Sequence, residues 1–147
     1  MISKTRIQMI LFLLIIISFC TKQVDIFIKA EDQLNNGGNP VVLRIYQLST
    51  DINFRNETSE SFWRKDAFSS QGDIIGRPKE IILHPGEILR LKNIKIEKNA
   101  AFLGIVADFY KPDNDQWSYI FDLAKNNINK LLIVAGTNSL SVRKFAD

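Results

Sequence analysis

Residues 24–30 read Val24-Asp25-Ile26-Phe27-Ile28-Lys29-Ala30, apolar at every even position and mainly polar between. Side chains alternate across a strand with period two, so this stretch predicts a half-buried β-strand with Phe27 as its aromatic exception. The nine residues after Glu31, from Asp32 to Pro40, are dense in Asn and Gly and predict a loop. Val41 to Leu48 predicts a second strand, apolar enough on both faces to be central in a sheet.

The same punctuation continues to the C-terminus. Asp51–Asn56 reads as irregular chain, and Thr58 or Ser59 caps a short helix through Lys65 that carries Phe62 and Trp63. Ser69–Asp73 is another loop. Lys79–His84 and Glu87–Asn93 flank Pro85-Gly86, the pair suited to the centre of a type II turn, where Gly accepts positive φ. Ala101–Tyr110 predicts a long strand, with Gly104 marking a bulge or a close backbone approach. Trp117–Phe121 is a strand or bend, and Leu131–Ala135 with Leu140–Arg143 forms a hairpin around Gly136-Thr137-Asn138. Seven or eight short strands with one short helix define an all-β sandwich.

Upstream of the first strand, Lys4 and Arg6 precede an apolar run from Met9 to Ile17, which ends at Ser18-Phe19-Cys20. A spanning helix needs about 20 apolar residues; Ile7 to Phe19 offers 13, with Gln8 and Ser18 among them. The pattern is that of an export signal over residues 1–19, with Cys20 as the lipid attachment site, residues 20–23 as a tether and 24–147 as the sandwich. Phe19 is bulky for the position before an acylated cysteine. The bland reading of Cys20 is a buried free thiol acting as a small hydrophobe.

Composition narrows the function. The net charge of +3 falls to +1 without residues 1–19, which carry Lys4 and Arg6 and no acid. The remaining basic residues are scattered, so nucleic acid is not an expected partner. A single cysteine allows no disulfide within the chain.

One histidine, His84, removes most catalytic and metal constellations. A Ser-His-Asp set around it lacks any G-x-S-x-G. Asp108, Asp113, Asn114 and Asp115 lack calcium-loop spacing. Neither catalytic residues nor metal ligands nor a cofactor is expected. Phe62, Trp63, Phe68, Phe102, Phe109, Trp117, Tyr119 and Phe121 read as core residues, the alternative being an exposed groove.

Pro40-Val41-Val42-Leu43-Arg44-Ile45-Tyr46-Gln47-Leu48, following an Asn/Gly-rich loop, resembles the TssJ family, outer-membrane lipoproteins of bacterial type VI secretion systems. Phe54, Phe62-Trp63, Asp73-Ile74-Ile75-Gly76, His84-Pro85-Gly86-Glu87, Phe102–Tyr110 and Trp117 arrive in family order. The resemblance covers essentially the whole chain. It implies a two-sheet, transthyretin-like β-sandwich with an added helix, anchored through acylated Cys20 in the lipid of the outer membrane at its periplasmic face.

The resemblance also implies a partner: the periplasmic C-terminal region of TssM, an inner-membrane protein. The implied contact is the first inter-strand loop, here Gln33, Leu34, Asn35, Asn36, Gly37, Gly38 and Asn39, whose composition suggests a mobile, adaptable segment. Arg44 and Tyr46 are expected to fill one sheet face. Two other functions stay open on the residues: a periplasmic lipoprotein binding a small ligand in an aromatic groove, and an envelope hydrolase built on His84.

Overall fold

The computed structural model describes residues 21–64 and 72–145. The expected signal at 1–19, Cys20, Lys65, Phe68 and most of the 69–73 loop lie outside these residues. Among the described residues, eight strands form two four-stranded sheets. They are β1 (Gln23–Ala30), β2 (Val41–Leu48), β3 (Ile74–Leu83), β4 (Ile88–Lys95), β5 (Phe102–Ala107), β6 (Ser118–Asp122), β7 (Lys130–Ala135) and β8 (Leu140–Lys144). One sheet runs β4-β1-β7-β8 and the other β3-β2-β5-β6. β1 and β7 pair in parallel, and every other pair is antiparallel.

The alternation in 24–30 does what period two requires. Val24, Ile26 and Ile28 face inward with no exposure, opposite inward residues of the second sheet such as Leu43 and Ile105. Each such side chain contributes about 1.5–3 kcal/mol on leaving water. Phe27, on the outer face, stacks on Phe145 at 4.7 Å between ring centres, with the Arg90 guanidinium 4.8 Å from its own ring centre.

The strands flanking Pro85-Gly86 belong to different sheets, so the turn carries the chain across the sandwich. Gly86 has φ +74°, and the Glu87 N–H donates to the His84 carbonyl at 3.1 Å, closing a tight turn.

The described residues between β2 and β3 hold two short helices, α1 (Ile52–Arg55) and α2 (Ser59–Arg64). The second is the expected helix; the first is a single turn where irregular chain was expected. Both lie over the outer face of β2 and β5, where Phe54 and Phe62 meet Tyr46 edge-on at 6.5 and 5.8 Å. Arg44 and Tyr46 fill that face, as expected, with the Arg44 guanidinium 4.8 Å from the Trp63 ring centre and its Nε 2.7 Å from Glu80. Gly104 marks a close approach: a Cβ there would lie 2.5 Å from the Phe54 ring.

β5 ends at Ala107, so Asp108–Tyr110, expected as strand, leaves the sheet. The Asp108 N–H still reaches the Val42 carbonyl at 2.9 Å, and Phe109 turns back onto Ala107.

Candidate functional site

Strand directions sort the loops into two ends. Thr21 and Lys22, the 96–101 loop and the 123–129 loop share the end where β1 begins. The 31–40 segment, the 84–87 turn, the 108–117 loop and the 136–139 turn share the other. Eight residues of β1 separate the ends by about 26 Å at strand rise.

The 31–40 segment is the most constructed part of the distal end. Asn35, Asn36, Gly37 and Gly38 all have positive φ, of 47°, 61°, 97° and 102°. Asn and Gly are the residues that tolerate this left-handed region, so Asn-Asn-Gly-Gly encodes a left-handed turn. The turn closes when the Asn39 N–H donates to the Leu34 carbonyl at 2.9 Å.

Asn35 is the pivot. It is 8 % exposed, its amide nitrogen donates to the Pro40 carbonyl at 2.7 Å, and its side-chain oxygen accepts the Tyr110 N–H at 2.7 Å. Backbone bonds knit the other loops around it. Asn35 and Asn36 donate to Gly136 and Thr137, Asp113 donates to Asn138, and Gly86 donates to Glu31. Where composition suggested a loose, adaptable loop, the segment is bonded to its neighbours through most of its length.

The seven loop residues consequently divide. Leu34 has no exposure and Asn35 almost none, so these two support the turn from inside and present no surface. Gln33, Asn36, Gly37, Gly38 and Asn39 are exposed. Tyr110, absent from the expected set, stands 73 % exposed beside them, with Lys111 Nζ 5.8 Å from its ring centre. Ile88, at the start of β4, is 72 % exposed at the same end. An aromatic residue within the polar run Asp108–Gln116 was the available signal for Tyr110; the strand expectation hid it.

Of the aromatics expected in the core, Phe62, Phe109, Trp117 and Phe121 are buried and Trp63 and Phe102 partly so, whereas Tyr119 is exposed because it stands on the edge strand β6. Phe62 meets Phe54, Trp63 and Trp117 at 6.1, 5.3 and 5.5 Å, filling the space beneath the helices. His84 is exposed at the turn, and its backbone N–H donates to the Glu87 carboxylate at 2.9 Å. Among the described residues no cluster of three or more His, Cys, Asp or Glu is placed to hold a metal, and no helix is long and apolar enough to cross a membrane.

Two four-stranded sheets packed face to face, with few short helices, place the described residues in the class of small β-sandwich domains. Within that class, residues 22–140 match the family described as "Type VI secretion lipoprotein, VasD, EvfM, TssJ", and the chain belongs to it.

Solved structures share the fold. The T6SS lipoprotein TssJ1 from Pseudomonas aeruginosa is 23% identical, with a TM-score of 0.75 over 86% of this chain and 98% of that one. A chain of the structure described as "Type VI membrane complex" is 25% identical, with a TM-score of 0.73 over 84% of this chain and 98% of that one. A chain of the structure described as "T6SS protein TssM C-terminal domain (869-1107) from EAEC" is 24% identical, with a TM-score of 0.71 over 84% and 99%. No curated protein matches the chain closely enough to count as a relative.

Proposed function

We propose that this chain is a non-catalytic, lipid-anchored docking subunit of a type VI secretion membrane complex. Acylated Cys20 holds it in the outer membrane at the periplasmic face, and its distal loops hold the periplasmic C-terminal region of a TssM-like inner-membrane protein. Family membership supports the setting. The observation that carries the docking role is the bonded left-handed turn with exposed Asn36–Asn39 beside exposed Tyr110, at the end away from Thr21.

A rigid turn suits this work, because a surface already in shape loses little conformational entropy when a partner covers it. Tyr110 supplies an amphipathic aromatic of the kind that dominates interface energetics. Anchoring confines the search to the periplasmic gap and raises the effective concentration of the partner, so a modest contact suffices.

Titration of the TssM periplasmic region against wild-type protein and Tyr110→Ala tests the reading. The tyrosine is surface-exposed, so the variant keeps its fold. Its affinity is expected to fall about tenfold or more, the loss of a hot-spot contact. Wild type that binds no such region, in titration or in pull-down from envelope extracts, contradicts the proposal.

A further inference from the structure

The two ends of the sandwich differ in charge, one strongly acidic and the other slightly basic. The distal loops hold Glu31, Asp32, Glu87, Asp108, Asp113 and Asp115 against Lys111 alone. The end where β1 begins keeps a small basic excess: Lys22, Lys95, Lys98, Lys125, Lys130 and Lys144 against Asp25, Asp73, Glu97 and Asp122.

Three of those lysines, Lys22, Lys95 and Lys98, line a cleft of about 690 Å³ whose apolar walls include Ile96, Ala100 and Leu123. Thr21, the residue after Cys20, lines the same cleft. Glu97 also lines the cleft, its carboxylate 3.8 Å from Lys95 Nζ; Lys22 donates to the Leu123 carbonyl at 3.3 Å, and the Lys95 side chain is 60% exposed.

We infer that this lysine-rimmed cleft seats the headgroups of anionic phospholipids, so that the sandwich stands on the membrane with its basic end down and its acidic end outward. The inference rests on the acylation of Cys20 proposed above. Geometry leaves the basic end little choice of neighbour. Two residues of extended chain reach about 7 Å, so the cleft stays within roughly one Debye length of the headgroups. At that distance lysine is attracted to anionic lipid, and the apolar walls accept the glycerol region below the phosphate. The acidic loops are repelled by the same surface. A short tether alone leaves the body free to tip; the charge asymmetry fixes its direction.

The test uses native acylated protein in vesicles of phosphatidylcholine, with or without phosphatidylglycerol. Cys20 is the only cysteine, so Asn99→Cys or Asn36→Cys supplies the sole free thiol for a fluorophore. On anionic vesicles the label at 99 is expected to be shielded from an aqueous quencher, and the label at 36 to be fully accessible. Lys95→Gln and Lys98→Gln are expected to lower the shielded-to-exposed ratio about fivefold for each lysine removed, and added salt to do the same in unmodified protein.

A label at 99 that is equally accessible on both lipids overturns the inference. So does full reversal by inorganic phosphate at constant ionic strength, which would mark a site for soluble anions. Protein that floats with neither vesicle shows instead that acylation itself fails, and the orientation falls with it.

Discussion

Asp25 shows how a single residue ties a local irregularity to stability. The β1–β4 register shifts between Val24 and Ile26, and Asn93 opposite takes φ +54°. The Asp25 carboxylate accepts the Asn93 N–H at 2.8 Å and the Arg90 guanidinium at 2.7 Å. The backbone bond from Asn93, then Arg90, holds its pKa below the ordinary carboxylate value. A depressed carboxylate stabilises the fold above its unfolded pKa of about 3.9, and that stability is lost as pH falls through the folded value. Asp25→Asn is therefore expected to be less stable than wild type at neutral pH. Urea denaturation should show the gap closing as pH drops below about 4; a gap independent of pH would contradict the assignment.

Gly104 is the packing counterpart. A methyl there would lie 2.5 Å from the Phe54 ring and 3.0 Å from Leu48 Cδ1, so Gly104→Ala should cost about 1–3 kcal/mol in the same assay. This glycine was legible in the sequence as a bulge or a close approach. Only the helix laid over the sheet decides between the two.

At the scale of elements, β1, β2 and the β7–β8 hairpin were readable because period-two burial is local. Which sheet each strand joins was not. The turn at Pro85-Gly86 joins β3 to β4 across the sandwich with the same turn chemistry it would use inside one sheet. α1, with four residues, is too short to show helical periodicity; its burial of Phe54 comes from tertiary contact. The Asn-Asn-Gly-Gly segment was legible as a loop of turn formers; its left-handed turn and the bonds that tie it to other loops were not. The bonds that fix it come from Tyr110, Gly136 and Thr137, far along the chain.

Asn35→Ala tests that turn. It removes the partner of the Tyr110 N–H and of the Pro40 carbonyl, for an expected loss of about 1–3 kcal/mol in urea unfolding. Hydrogen exchange should rise at Tyr110 and at Asn39. Exchange at those amides as fast in wild type as in the variant would restore the picture of a loose loop.

On the scale of the whole molecule, the proposed role gives the sandwich a membrane end and a docking end. Nothing in the account requires moving parts or chemistry at His84. His84→Ala is accordingly expected to leave both the thermal midpoint and TssM binding unchanged; loss of function with folding intact would revive an enzyme. The acidic distal loops also predict that partner affinity declines as salt rises, since rim charges act through a screened field.

Everything in the proposed role depends on which residue meets the lipid, and one measurement addresses it directly. Membranes of the native host, separated by density, yield the protein for mass determination of its N-terminal peptide. Outer-membrane material is expected whose first residue is Cys20, heavier by its acyl groups and lacking residues 1–19. A free thiol at Cys20, or protein recovered in the soluble periplasmic fraction, would contradict it.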